Sequence, residues 1–261
     1  MTAPVLEIKG LTRRFGGLVA VDRVDFELPG GELHAIIGPN GAGKTTLFNL
    51  VSGFLRADAG RVVFQGKDIL GRSPHEISRA GIARTLQVKS VFNGLSVFDN
   101  VWVAAESQKP FLHPLRPMRW STDTARRVDE LLEEMGLTGY AHELAGNLSY
   151  GDVALLEMAI ALATKPKLLL LDEPVSGMSP SETKRTAARI RKLSRTVDLI
   201  LVEHDMEVVF EIADVITVMN QGAILCQGRP EAIAKDPRVQ EAYLGAPEED
   251  ADPAGRLDAP A

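Results

Sequence analysis

A chain of 261 residues is long enough for one large α/β domain, or for a core domain carrying a smaller lobe, and it can bury a core without covalent staples. Its 29 basic and 35 acidic residues give a formal charge of -6 and a pI of about 5.5, which argues against a dedicated nucleic-acid binder. Cys226 is the only cysteine, excluding an internal disulfide and fitting the cytosol. The opening MTAPVLEIKG lacks the basic-then-apolar order of a signal peptide, and no apolar run reaches the ~18 residues of a membrane span, so membrane attachment is expected to need another chain.

Residues 5–9 (VLEIK) and 24–28 (VDFEL) alternate apolar with polar, predicting half-buried strands in an antiparallel ribbon, and Pro29-Gly30-Gly31 predicts a turn. Leu33–Ile37 is apolar but for His34, as expected of a strand covered on both faces. Directly after it comes Gly38-Pro39-Asn40-Gly41-Ala42-Gly43-Lys44-Thr45, then Thr46 and the helix-forming TLFNLVSG. Strand, glycine-rich turn and helix in that order form a phosphate cradle. The glycines let successive amides point at phosphate oxygens, Lys44 reaches the β and γ phosphates, and the Thr45 hydroxyl can ligate Mg²⁺.

From residue 91 to about 164 the sequence carries helical patterns (123–135, 150–164) and a proline-broken loop, KPFLHPLRPMRW, but no strand pattern, and reads as a helical lobe inserted into an α/β core. Leu148-Ser149-Tyr150-Gly151-Asp152 opens the second helix. Ser149 and Asp152 predict a capping box, and the same helix start is also an anion site. Residues 168–173 (LLLLDE) predict a buried strand ending in two carboxylates, which alternation sends to opposite sides. Asp172 can then lie beside a Mg²⁺ ion while Glu173 polarises a water in line with a γ-phosphate. Residues 199–202 predict a third covered strand. The last 16 residues, with five acids and three prolines, hold too little apolar surface to fold.

The phosphate loop, Gln87, LSYGD, LLLLDEP and His204, in this order and spacing over about residues 5–245, resemble ATP-binding-cassette (ABC) ATPases. RRFGGLVAVDRVDFEL, GPNGAGKTTLFNLVSGF, ISRAGIARTLQ and VFDNV are most similar to the ATPases of branched-chain (hydrophobic) amino acid uptake systems. The resemblance implies an α/β fold with a P-loop NTPase (RecA-like) parallel sheet core, an N-terminal antiparallel β subdomain and an inserted α-helical subdomain. One domain would cover 4–245, with its core at 4–90 and 165–245 and the helical part at 91–164; residues 246–261 would be a disordered acidic tail.

It also implies roles. Phe15 would stack on adenine, the alternative being an ordinary core phenylalanine. Gly38 to Thr46 would hold ATP, with Thr45, Gln87 and Asp172 around Mg²⁺. Glu173, His204 and Gln87 would act in hydrolysis, and Ser149, Tyr150 and Gly151 would close over ATP on a second ABC ATPase subunit, another copy or a paralogue. Residues 88–120 would dock transmembrane permease subunits at the cytoplasmic face of the membrane, with Phe92, Val97 and Phe98 as anchors or simply as core of the lobe. A periplasmic solute-binding protein would take part indirectly, and nucleic acid would not.

Three features depart from the family pattern: Asp152 where glutamine is common, the following VALLE without basic residues, and Ser179 where aspartate or asparagine is common. A carboxylate at 152 weakens phosphate binding unless capping turns it away. Other readings are an importer of urea or another small organic solute, and an ABC ATPase acting on DNA or ribosomes, which usually carries coiled coils or paired cassettes. A kinase or GTPase is opposed by the missing N-K-x-D, and a sensor without turnover by Glu173.

Overall fold

The computed structural model describes residues 4–85, 91–107 and 122–244. Strands β1 (Leu6–Phe15) and β2 (Leu18–Leu28) pair antiparallel around a Gly16-Gly17 tip, a longer ribbon than the two short alternating patterns predict. β3 (Leu33–Ile37) then crosses the centre and hands over to α1 (Lys44–Val51). β4 (Ala59–Phe64) and β5 (Lys67–Asp68) complete a four-stranded sheet in the order β2-β1-β4-β5. Helix α2 (Pro74–Ala80), opened by a Ser73–Glu76 capping box, leads to β6 (Ile82–Arg84).

Three helices follow, α3 (Val97–Ser107), α4 (Thr122–Met135) and α5 (Tyr150–Ala163), each packed on the other two. The chain then runs through β7 (Leu168–Asp172), α6 (Pro180–Leu193), β8 (Asp198–Val202) and α7 (Met206–Ile212). It closes with β9 (Val215–Asn220), β10 (Ala223–Gly228), α8 (Pro230–Ile233) and α9 (Pro237–Leu244). The central sheet has the order β10-β9-β3-β8-β7-β6; every neighbour pair is parallel except β9 with β10.

Strand alternation divides the core. Leu169, Leu171, Leu199 and Leu201 pack with α3 to α6, while Leu168, Leu170, Ile200 and Val202 pack with α1 and the antiparallel sheet. A strand apolar on every residue is what this double burial requires, and truncating Leu171 to alanine would cost roughly 2–5 kcal/mol. α5 is apolar almost all round (VALLEMAIALA) because it lies between the sheet and the helices α3 and α4.

Two of the residues considered as docking anchors belong to this core. Val97 is fully buried and Phe98 packs against the helical cluster; Phe92, in the loop before α3, is 60% exposed. The reason lies in α3, which turns Val97, Val101 and Trp102 together toward the cluster. All of KPFLHPLRPMRW, and the tail from residue 246, lie outside the described residues.

Candidate active site

β3 ends at Ile37 and the glycine-rich turn follows at its carboxyl end. Gly38 (φ 154°) comes so close to β9 that a Cβ would stand 2.1 Å from the Met219 carbonyl oxygen; at Gly43 (φ 100°) it would stand 2.3 Å from that of Ala20. Only glycine fits either place. Lys44, 8% exposed, donates from Nζ to the Gly38 and Pro39 carbonyls at 2.6 and 3.1 Å, bridging the loop it belongs to. Burial pulls its pKa down, while Glu173 and Asp172 push it up.

The turn borders an open cleft of about 750 Å³, lined also by Phe15, Leu18, Thr45, Thr46 and Glu173. Phe15 is 43% exposed at the end of β1, with the Arg13 guanidinium 4.7 Å from its ring centroid, so it is a surface aromatic and not a core phenylalanine.

Register brings the acids to the same edge. Ile36 pairs with Val202, and Val202 with Asp172, so β3, β8 and β7 end side by side. Asp172 accepts from Arg84 Nη2 at 2.7 Å through Oδ2, while its buried Oδ1 has no hydrogen-bond partner. Arg84 in turn donates to Asn49 Oδ1 and Ser52 Oγ and lies over the rings of Phe48 and Phe54. Glu173 lies just beyond the strand at φ 50°, its amide donating to the Val202 carbonyl at 2.8 Å. Thus a left-handed backbone turn, not alternation within β7, separates the two carboxylates. His204 follows β8, its Nδ1 3.9 Å from Glu173 Oε2 and 3.7 Å from Glu203 Oε2.

At α5, Ser149 is the N-cap: its Oγ accepts the Asp152 amide at 3.2 Å and donates to Asp152 Oδ2 at 2.8 Å. Asp152 takes a further hydrogen bond from Arg185 at 2.7 Å, so its charge is paired and buried. Only half of the expected box forms, since the carboxylate meets the serine hydroxyl rather than the serine amide. The Gly151 amide donates to Glu182 Oε1 at 3.2 Å, and the amide and hydroxyl of Ser179 both donate to Glu182 Oε2. Those Ser179 bonds, with Ser149 and Gly151 adding, hold the Glu182 carboxyl at about 2. Tyr150 is exposed.

Residues 21–176 match the family model described as ABC transporter. This chain belongs to the ABC transporter family. Residues 223–249 match a second model, the branched-chain amino acid ATP-binding cassette transporter. Among ABC relatives, the high-affinity branched-chain amino acid transport ATP-binding protein BraF of Pseudomonas aeruginosa is 41% identical, over 94% of this chain and 99% of its own. LivG of Escherichia coli K12, described in the same terms, is 39% identical over the same shares. The crystal structure of the ADP conformation of MJ1267, an ATP-binding cassette of an ABC transporter, superposes with a TM-score of 0.83 at 31% identity, covering 94% of this chain and all of that one.

As an ABC protein the chain is an ATP-binding and ATP-hydrolysing transporter subunit with a P-loop NTPase core. Among its described residues no helix is long and apolar enough to cross a membrane. The phosphate loop, Asp172, Glu173 and His204 come to one edge of the central sheet, while Ser149, Tyr150 and Gly151 open α5 of the helical group. Gln87 lies outside the described residues. Sequence reasoning passed over Arg84, Arg185, Glu182 and Glu203. For Arg84 a signal existed: an arginine within an apolar strand needs a buried acid to meet.

Proposed function

We propose that this chain hydrolyses ATP to power import of branched-chain or other hydrophobic amino acids through separate permease subunits. Paired with a second ABC ATPase subunit, a copy or a paralogue, it would work at the cytoplasmic face of the membrane. The names of BraF and LivG and the match at residues 223–249 support the solute class. One observation carries the chemistry: Glu173, His204 and the unpartnered Asp172 Oδ1 stand at strand ends beside the loop of Lys44 and Thr45.

In this reading Phe15 stacks on adenine, the amides from Gly38 to Thr46 and Lys44 hold the phosphates, and Glu173 is the general base, assisted by His204. Asp172 Oδ1 and the Thr45 hydroxyl are hard oxygen donors of the kind Mg²⁺ takes, with Gln87 a third by resemblance. Bound there, Mg²⁺ would supply positive charge against the phosphate oxygens. Ser149, Tyr150 and Gly151 close over ATP held by the second subunit. Residues 4–90 and 165–245 form the core, and 91–164 the helical part that meets the permease, with Phe92 at its exposed surface. A solute-binding protein participates indirectly.

The test is hydrolysis by purified protein with and without Mg²⁺, followed by uptake in vesicles carrying candidate permeases. No Mg²⁺-dependent turnover under either condition would refute the catalytic assignment. Uptake of urea but not leucine would refute the solute class alone.

A further inference from the structure

We propose that Glu203 is a positioning residue for ATP hydrolysis: its buried carboxylate ties the loop carrying Glu173 to the loop carrying His204 and so sets the separation of those two side chains. The proposal rests on the roles given above to Glu173 and His204.

Glu203 is the first residue after β8 and is fully buried. Its Oε1 accepts the Val175 amide at 3.0 Å; its Oε2 accepts the amides of His204 at 2.9 Å and Asp205 at 3.3 Å. Val175 lies two residues beyond Glu173, in the turn where the Ser176 amide donates to the Glu173 carbonyl and the Met178 amide to the Val175 carbonyl. One carboxylate therefore spans the exits of two neighbouring strands, β7 and β8.

Burying a carboxylate is costly unless its oxygens are satisfied, and an isolated turn has cheaper ways to satisfy its amides, such as water. Three amides from two loops converging on two oxygens need an acceptor at both ends. A carboxylate offers one; a glutamine offers an acceptor at one end only and turns an N–H toward an N–H at the other.

The fixed geometry concerns reacting groups. Glu173 sits at φ 50°, a backbone that a residue other than glycine holds only when its surroundings fix it, and its amide is fastened to Val202, next to Glu203. His204 Nδ1 lies 3.7 Å from Glu203 Oε2 and 3.9 Å from Glu173 Oε2, so a shift of either loop changes the spacing of the reacting groups. Releasing Val175 frees the Glu173 turn, and releasing His204 frees the ring. A misplacement of ~1 Å at reacting groups costs on the order of 10²-fold in rate.

The experiment compares Glu203→Gln and Glu203→Asp with the unaltered full-length chain, reading kcat, KM and the ATP Kd, each alone and in a His204→Ala background. Aspartate keeps the charge but is one methylene too short to reach both loops, so it reports on the same link if the glutamine variant folds poorly. Expected is a loss in kcat of roughly 10-fold or more with an ATP Kd changed less than about 3-fold, and a smaller loss once His204 is absent, the part that remains coming from the freed Glu173 turn. Unchanged kcat, equal losses in kcat and ATP affinity, or a loss that multiplies fully with that of His204→Ala would each overturn the proposal. Full activity of Glu173→Gln would instead refute the catalytic assignment on which the link rests, a result separable from any Glu203 outcome.

Discussion

Arg84 reaches from β6 to Asp172 on β7 with a donor–acceptor distance of 2.7 Å, and the two side chains are only 7% and 0% exposed. A buried pair of this kind contributes little net stability beside an apolar substitute, yet removing one partner strands the other charge. Arg84→Met is therefore expected to lower unfolding stability by about 3–5 kcal/mol in a urea titration, and to weaken ATP hydrolysis. A loss under 1 kcal/mol would mean that Asp172 finds other partners.

Substitutions at Glu173 and Lys44 are expected to separate chemistry from binding. Glu173→Gln should hydrolyse ATP at least ~10²-fold more slowly while its ATP affinity stays within a few-fold, and should accumulate as an ATP-bound dimer in size-exclusion chromatography. Lys44→Ala should lose ATP affinity itself, because the loop's central cation is gone.

Gly38 tests the loop as a shape. With a Cβ only 2.1 Å from the Met219 carbonyl oxygen, Gly38→Ala must displace either β9 or the loop. Destabilisation of roughly 1–3 kcal/mol is expected, together with loss of ATP binding measured by calorimetry. A variant that binds ATP normally would show that the loop tolerates side chains.

His34, fully buried between Phe26 and Thr217, gives a pH signature. Burial pulls its pKa from 6.5 to about 4, so the folded chain holds fewer protons than the unfolded one in this window. Its contribution is therefore complete above the unfolded pKa and is lost as pH falls from 6.5 toward 4, by about 3 kcal/mol. His34→Gln should flatten that part of the stability-versus-pH curve, and an unchanged slope would remove His34 as its source.

Asp152 borders Ser149 and Gly151, the residues proposed to close over ATP held by a second subunit. Its carboxylate is held by Arg185 and by the Ser149 hydroxyl. Asp152→Gln is accordingly expected to change ATPase activity less than about 3-fold, whereas Arg185→Ala, which leaves the carboxylate without its cation, should raise the KM for ATP. A large gain on Asp152→Gln would show that the acid still repels phosphate.

What could be read in advance was local and chemical. Apolar runs at 33–37 (broken only by His34), 168–171 and 199–202 meant strands covered on both sides, glycines before Lys44 meant a tight backbone turn between strand and helix, and two acids ending an apolar strand meant carboxylates at a sheet edge. Period and residue type decide these within a few positions of chain. What reached beyond that span was decided only by packing. Arg84 and Asp172 lie 88 residues apart and meet because β6 and β7 pair in register; Glu203, one acid in LVEHD, is buried because Val175 and His204 bring their amides to it from different strands. Val97 looks as exposable as Phe92 in a one-dimensional pattern, and the face that α3 turns inward separates them. A sequence states which groups need partners, but which partner each receives depends on strand order and helix orientation, and those are set by the closing of the whole core.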